Sequence, residues 1–250
     1  MKNVYIDFEA SQFTQEIISI GAVAYNGKEF YSLININGEV GKFITKLTGI
    51  SKDDIQNAPN AKQVFEDFFC WLLDISNGGK EKLQFICYGN SDMTFAINSL
   101  KRIAHSLYAQ ASLSLIITNI VDYAEHVKAY FGLSQHVSLL KVAQYCTKDD
   151  TLVQTHNSLD DAKMLKTVYE KIQGGDVLPV DPYLEYAQKI EVYDLNDNLL
   201  QSFFGVKDTY NWLVKEKNIP KKAYRAKIIN KILAAAKENK SYCDLVWVLK

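Results

Sequence analysis

At the head of the chain Val4, Ile6 and Phe8 alternate with Tyr5, Asp7 and Glu9, the period-two pattern of a strand with one apolar face and one face carrying two acids. Glu16 to Tyr25 is a second β run rich in Ile and Val, and Asn26-Gly27 is a hairpin signal leading into Phe30 to Ile36. Three strands joined in this way open a mixed sheet. From Ile44 the spacing turns helical through Leu47-Thr48-Gly49-Ile50. After Pro59, Val64, Phe65, Phe68, Phe69 and Leu72 mark a second helix whose aromatic stripe is core packing. Leu83 to Tyr88 reads as a strongly apolar strand closed by Gly89-Asn90-Ser91-Asp92, and Phe95, Ile97, Leu100, Ile103, Ala104 and Leu107 continue as a helix. A further strand is expected at Leu115 to Ile117, then helices from about Val121 to Phe131 and from Ser138 to Tyr145. One more helix opens after Thr155-His156-Asn157 and turns Ala162, Leu165, Tyr169 and Ile172 to the core.

Gly174-Gly175-Asp176 to Pro182, with Pro179 and Pro182, has the composition of a linker. Beyond it Ile190 to Asp194 reads as a strand, Asn196-Asp197-Asn198 as a turn and Leu199 to Phe204 as the returning strand. Helices around Lys207 to Lys217 and Ala223 to Glu238 and a last strand, Leu245 to Leu249, complete the chain. The reading is an α/β domain over 1–175, a linker over 176–188 and a small basic α+β domain over 189–250.

With 48% hydrophobic residues in 250, the chain can fill one medium and one small core. The formal net charge of -1 hides an asymmetry: Met1 to Gln188 carries 16 basic against 22 acidic residues, Lys189 to Lys250 carries 12 against 7, so the parts hold -6 and +5. An acidic part and a basic part on one chain suit a metal site and a surface for a polyanion. Lys221, Lys222, Arg225, Lys227, Lys231 and Lys237 crowd the last predicted helix, which the apolar stripe of Ile228, Ile229, Ile232 and Leu233 also fits as an ordinary amphipathic helix. The four cysteines form no Cys-x-x-Cys pair, which argues against a zinc ribbon or a dithiol redox motif. No run of eighteen apolar residues and no apolar leader is present, so the expectation is a soluble, cytoplasmic protein without a membrane partner.

Two carboxylates side by side on a core strand repel one another unless a cation sits between them. Asp7 and Glu9 alone would also fit a solvated sheet face. Two further acids and a histidine change that balance. Asp92 lies where a central strand passes into a helix, the carboxyl edge at which sites of open α/β folds gather, although a plain helix cap would also fit. Ser158-x-x-Asp161 fits a capping box that would fix Asp161 in a first helical turn, with His156 on a mobile loop just before it. His105, His126 and His136 have no such setting and read as structural or surface residues. Gly21 to Lys28 superficially suggests a phosphate loop, but the glycine spacing is one residue too long and Glu29 stands where Ser or Thr is needed.

With these residues in view, positions 1 to about 175 resemble the DEDDh branch of the DnaQ-like 3′–5′ exonucleases, in the ribonuclease H-like superfamily. The first motif of that family is Ile6-Asp7-Phe8-Glu9-Ala10, followed by a matching strand Glu16 to Val23 and the Leu47-Thr48-Gly49-Ile50 turn. The second motif supplies Asp92 after Tyr88-Gly89-Asn90-Ser91, and the third is His156 with Asp161-Ala162 five residues on. Ser158 departs from the family, many of whose members have Ala there.

The resemblance implies a mixed five-stranded sheet flanked by helices and a metal-dependent exonuclease acting on nucleic acid with a free 3′ end. It implies Asp7, Glu9, Asp92 and Asp161 as ligands of two Mg²⁺ or Mn²⁺ ions and His156 as the base that deprotonates the attacking water, a task suited to an imidazole. Phe8, Leu47 and Ile50 are implied as contacts of the terminal nucleotide. Phe8 between the two acids, where DNA-proofreading relatives tend to carry Thr, leans the expectation towards RNA. The C-terminal part is expected to bind nucleic acid or a protein partner. The alternative is a catalytically idle nucleic-acid-binding relative, against which the presence of all five catalytic residue types counts.

Overall fold

The computed structural model describes residues 1–103, 106–133, 135–177, 189–204, 206–216, 228, 231–232, 234–236 and 240–249. β1 (Lys2–Ala10), β2 (Ile17–Ala24), β3 (Glu29–Leu33), β4 (Leu83–Cys87) and β5 (Ile120–Asp122) form one sheet in the order β3-β2-β1-β4-β5. The first three are antiparallel hairpin partners, whereas β4 and β5 run parallel to β1, so the sheet is mixed as expected. β1 is central, and its Ile6 and Phe8 stand opposite Ala22 and Ile20 of β2 on the face that packs on Phe65 and Phe68 of α3 (Ala61–Ile75). Phe69, read as part of that stripe, is only partly buried and stacks on Tyr108.

The remaining helices are α1 (Lys42–Thr48), α2 (Lys52–Asn57), α4 (Ser91–Arg102), α5 (Leu107–Asn119), α6 (Tyr123–Phe131), α7 (Leu139–Thr147) and α8 (Ser158–Gln173). Two sequence expectations fail here. Leu115 to Ile117 is helical: Ala109, Ser112, Leu113 and Ile116 are buried at helical spacing while Leu115 is exposed, and the strand begins only at Ile120. A three-residue apolar run fits either period, and the longer pattern decides it. The helix from Phe95 also stops at Arg102, where Ile103 turns extended, and a new one starts with Ser106 capping the Ala109 N–H. Positions 104 and 105 lie outside the described residues. The short α2 was not anticipated, although its Ser51/Asp54 capping box stands in the sequence.

By internal contacts the chain divides into Met1–Val127 with Val153–Glu170, and Lys128–Leu152 with Lys171–Lys250. The second unit contains a four-stranded antiparallel sheet of β6 (Lys189–Tyr193), β7 (Leu199–Phe204), β8 (Ser241–Tyr242) and β9 (Leu245–Leu249), ordered β7-β6-β9-β8. Ile190, Val192 and Trp247 of this sheet form a core with Tyr210 and Leu213 of α9 (Val206–Glu216) and with Ile232. Asp194 Oδ1 accepts from the N–H groups of Asn196 and Asn198, which fixes the expected β6–β7 turn. Most of the expected linker and most of the expected helix from Ala223 to Glu238, with the majority of its lysines, lie outside the described residues; 228, 231–232 and 234–236 are helical. Among the described residues no helix is long and apolar enough to cross a membrane.

Candidate active site

On β1 the acids stand opposite two small residues of β2: Asp7 pairs with Gly21 and Glu9 with Ser19. Cross-strand partners share a face, so the strip beside the acids carries almost no side-chain bulk. The first turn of α8 fills that space. A Cβ on Gly21 would collide with the Ser158 carbonyl group, and Ser19 Oγ and Ser158 Oγ are hydrogen-bonded at 2.7 Å in a fully buried contact. This close approach brings Asp161 over the face that holds Asp7 and Glu9. Gly21→Ala should therefore destabilise the chain by at least the upper end of the about 1–3 kcal/mol typical of overpacking. Denaturant melts of both proteins test it, and equal stability would mean that α8 is not seated through Gly21.

Asp92, in the first turn of α4, reaches back to β1. The β1–β4 pairing ends at Tyr5↔Ile86, which leaves the Phe8 N–H without a strand partner on that side, and Asp92 Oδ1 accepts it at 3.1 Å. Asp92 is 5% exposed. The turn before it is fastened by Asp122 at the end of β5, whose Oδ1 accepts from the N–H groups of Gly89 and Ala124. Sequence reasoning missed Asp122, which its place before a helix could have flagged as a cap.

The expected capping box does not form, because Ser158 spends its hydroxyl on Ser19. Asn157 caps α8 instead, its Oδ1 accepting from the N–H groups of Leu159 and Asp160. Asp161, 1% exposed, takes a hydrogen bond from Gln154 Nε2 on Oδ2 at 2.8 Å, and its Oδ1 is buried without a partner. His156 was expected on a loop free to swing. Its neighbours are tied down, Thr155 to Asp160 and Asn157 to the helix end, and His156 itself holds a left-handed φ of 52°.

Glu9, His156 and Asp161 each offer one ligand atom within 4.8 Å of the others. Asp7 adjoins the group: burial first, then the charges of Asp92, Asp161 and Glu9, hold its carboxyl well above the usual range. Burial, with Asp161 and Asp92 nearby, pushes Glu9 up to about 8. Burial raises Asp92 to about 7 against the opposing pull of the Phe8 and Asp92 N–H groups, and burial also raises Asp161. Four carboxylates that disfavour one another's charge, all hard oxygen donors, with one buried oxygen unpartnered, fit a divalent cation such as Mg²⁺ or Mn²⁺.

This crowding makes a pH prediction for the metal-free protein. Glu9 and Asp92 bind protons to higher pH folded than unfolded, so stability is full below the ordinary carboxylate range and is lost as pH rises towards about 8. The melting temperature in EDTA should fall across that window, and Mn²⁺ should restore it at the alkaline end. A flat profile in EDTA would show that the carboxylates are not crowded.

Of the expected nucleotide contacts, Ile50 lines a cavity of about 230 Å³ together with Ser19, Tyr31, Thr48, His156 and Asn157. Leu47 does not line it and is 38% exposed on α1. Phe8 corrects the expectation: strand alternation turns its side chain to the face opposite the acids, where it is 4% exposed in the core, so only its backbone remains on the side of the site.

Comparison with known proteins places the chain among exonucleases. The exonuclease family RNase_T matches residues 4–169. The 3′-5′ exonuclease DinG of Staphylococcus aureus strain MRSA252 is 22% identical over an alignment of 201 residues that covers 75% of this chain and 20% of that protein; the chain spans about a fifth of the length of the curated relatives it matches. In fold the chain is similar to a 3′-exonuclease solved in specific recognition of a histone mRNA stem-loop, with TM-score 0.57, 21% identity and coverage of 73% of this chain and 66% of that one. It is also similar to the nuclease domain of 3′hExo, a DEDDh family member bound to rAMP, with TM-score 0.52, 21% identity and coverage of 72% and 94%.

Proposed function

We propose a reaction on one premise: the chain belongs to the RNase_T exonuclease family. On that premise it is a divalent-cation-dependent 3′–5′ exonuclease that removes nucleotides from the 3′ end of a single strand. The observation that carries this reading is the crowding of Asp7, Glu9, Asp92 and Asp161, each held above the ordinary carboxylate range, beside His156. A surface that merely gripped nucleic acid would repel phosphates with such a cluster, which counts against the catalytically idle relative.

Asp7, Glu9, Asp92 and Asp161 would hold two Mg²⁺ or Mn²⁺ ions, whose bound charge would offset that of the phosphate and acidify the attacking water. His156 accepts the proton of that water on a ring nitrogen, and the hydrogen bonds of Thr155 and Asn157 keep its loop against α8 while it does so. Asp92 fixes the Phe8 backbone and with it the spacing of Asp7 and Glu9. The terminal nucleotide seats in the cavity at Thr48, Gly49 and Ile50. RNA is the preferred substrate, a choice supported by the RNA stem-loop and the ribonucleotide named with two structures similar in fold. The exonuclease domain is assigned to 1–175 and the linker to 176–188. The basic part, 189–250, is assigned to nucleic-acid or partner binding. Four free cysteines agree with a cytoplasmic protein.

The test is incubation of the chain with end-labelled single-stranded RNA and DNA under Mg²⁺, Mn²⁺ or EDTA. Stepwise shortening from the 3′ end, faster on RNA and stopped by EDTA, is the expected result. Binding without cleavage under either metal would return the chain to the idle alternative, and cleavage in EDTA would remove the metal from the mechanism.

A further inference from the structure

We infer that Gln154 is a positioning residue for the cation site, its amide holding the Asp161 carboxylate in the one orientation that leaves the second oxygen free for a cation. The inference rests on the metal-dependent reading above.

A carboxylate only accepts hydrogen bonds, so the amide nitrogen of Gln154 is the atom that faces Asp161 Oδ2, at 2.8 Å. Asp161 sits in the first turn of α8 almost without exposure, and its Oδ1 is buried with no partner at all. A buried carboxylate able to rotate would move to share its partner between both oxygens; fixed from one side by Gln154, it keeps Oδ1 uncommitted. Glu9 and His156 offer their own ligand atoms within 4.8 Å of Asp161. An unpartnered oxygen on a carboxylate of that group is free to serve as a coordination position.

The placement of Gln154 adds a second consequence. It stands two residues before His156, so its hydrogen bond ties the strand of loop that carries the imidazole to the helix turn that carries the ligand. Thr155 and Asn157 make two further ties to the same turn, through Asp160 and through the helix N–H groups. Loss of the Gln154 amide thus frees the Asp161 carboxylate while leaving the loop anchored.

The experiment compares the full chain with Gln154→Met, which keeps the length and lacks the amide, and Gln154→Asn, which keeps the amide one methylene short. Mn²⁺ affinity is measured by calorimetry, melting in EDTA by circular dichroism, and kcat and KM on single-stranded RNA. Both variants should bind Mn²⁺ about 10–100-fold more weakly than the parent, the usual loss when a partner of a ligand is removed. Their KM for RNA should stay at the parental value, with kcat reduced at limiting metal, and their melting in EDTA should fall only by the modest amount that one lost buried hydrogen bond costs. Parental Mn²⁺ affinity in both variants would overturn the inference, as would a lower melting temperature with unchanged affinity, the mark of a merely structural clasp. A raised KM alone would make Gln154 a substrate contact instead. A parent chain that binds no Mn²⁺ would sink the metal reading first and this inference with it.

Discussion

Asp7→Asn is expected to leave a folded protein whose release of 3′-terminal nucleotides falls by a factor on the order of 10³ or more, since losing even an indirect partner of a metal costs about 10–100-fold. Asp7 is the acid most surrounded by the others: Asp92, Asp161 and Glu9 all raise its pKa. It stands on the central strand opposite Gly21, and Asn matches it in size, so the replacement adds no bulk under α8. Removing its charge takes away a ligand and at the same time relieves repulsion among the three acids that remain. The metal-free melting temperature should accordingly equal or exceed that of the parent, a case of a site that costs stability to keep its function. Nucleotide release under Mg²⁺ and melting in EDTA check the two halves separately. Parental turnover would remove Asp7 from the site, and a markedly lower melting temperature would make its carboxylate a structural group.

What could be read in advance was what is written locally along the chain. The alternation of Val4 to Glu9, the Asn26-Gly27 hairpin and the apolar run at Leu83 give four strands of the sheet, whereas its full five-stranded form was what the family resemblance implied. The residues of the three motifs are brought to one sheet edge because each stands at the end of its element, where chain direction alone places it. The rest depends on distant partners. Ser158 and Asp161 satisfy the spacing of a capping box, yet the hydroxyl of Ser158 is claimed by Ser19, 139 residues away, and Asp161 by Gln154. Gly21 looks like any small strand residue until α8 lies within van der Waals reach of it. Leu115 to Ile117 was misread for the opposite reason: three apolar residues hold no period, and the buried positions that decide it lie on either side. Phe8 is instructive because its inward direction did follow from the alternation, and the family resemblance pulled against it.

His156→Ala separates proton transfer from metal binding. The side chain lies with Glu9 and Asp161 in a group whose ligand atoms are mutually within 4.8 Å, a geometry that would also suit a direct metal ligand. The four acids already supply hard oxygen donors, and Mg²⁺ and Mn²⁺ prefer oxygen to imidazole nitrogen, so the base role is favoured. The turnover should fall by about 10²–10⁴, the range for a lost general base, whereas Mn²⁺ should bind almost as tightly as to the parent. The fold should survive, because Gln154, Thr155 and Asn157 keep the loop fastened around position 156 and Ala relaxes none of their hydrogen bonds. Ala at a left-handed φ of 52° does carry some backbone strain, so His156→Asn, which tolerates that conformation, serves as the companion variant. Calorimetric Mn²⁺ titration of both variants, beside single-turnover rates at saturating metal, makes the distinction. A drop in Mn²⁺ affinity that accounts for the lost rate would move His156 among the ligands and leave the attacking water to be activated without it.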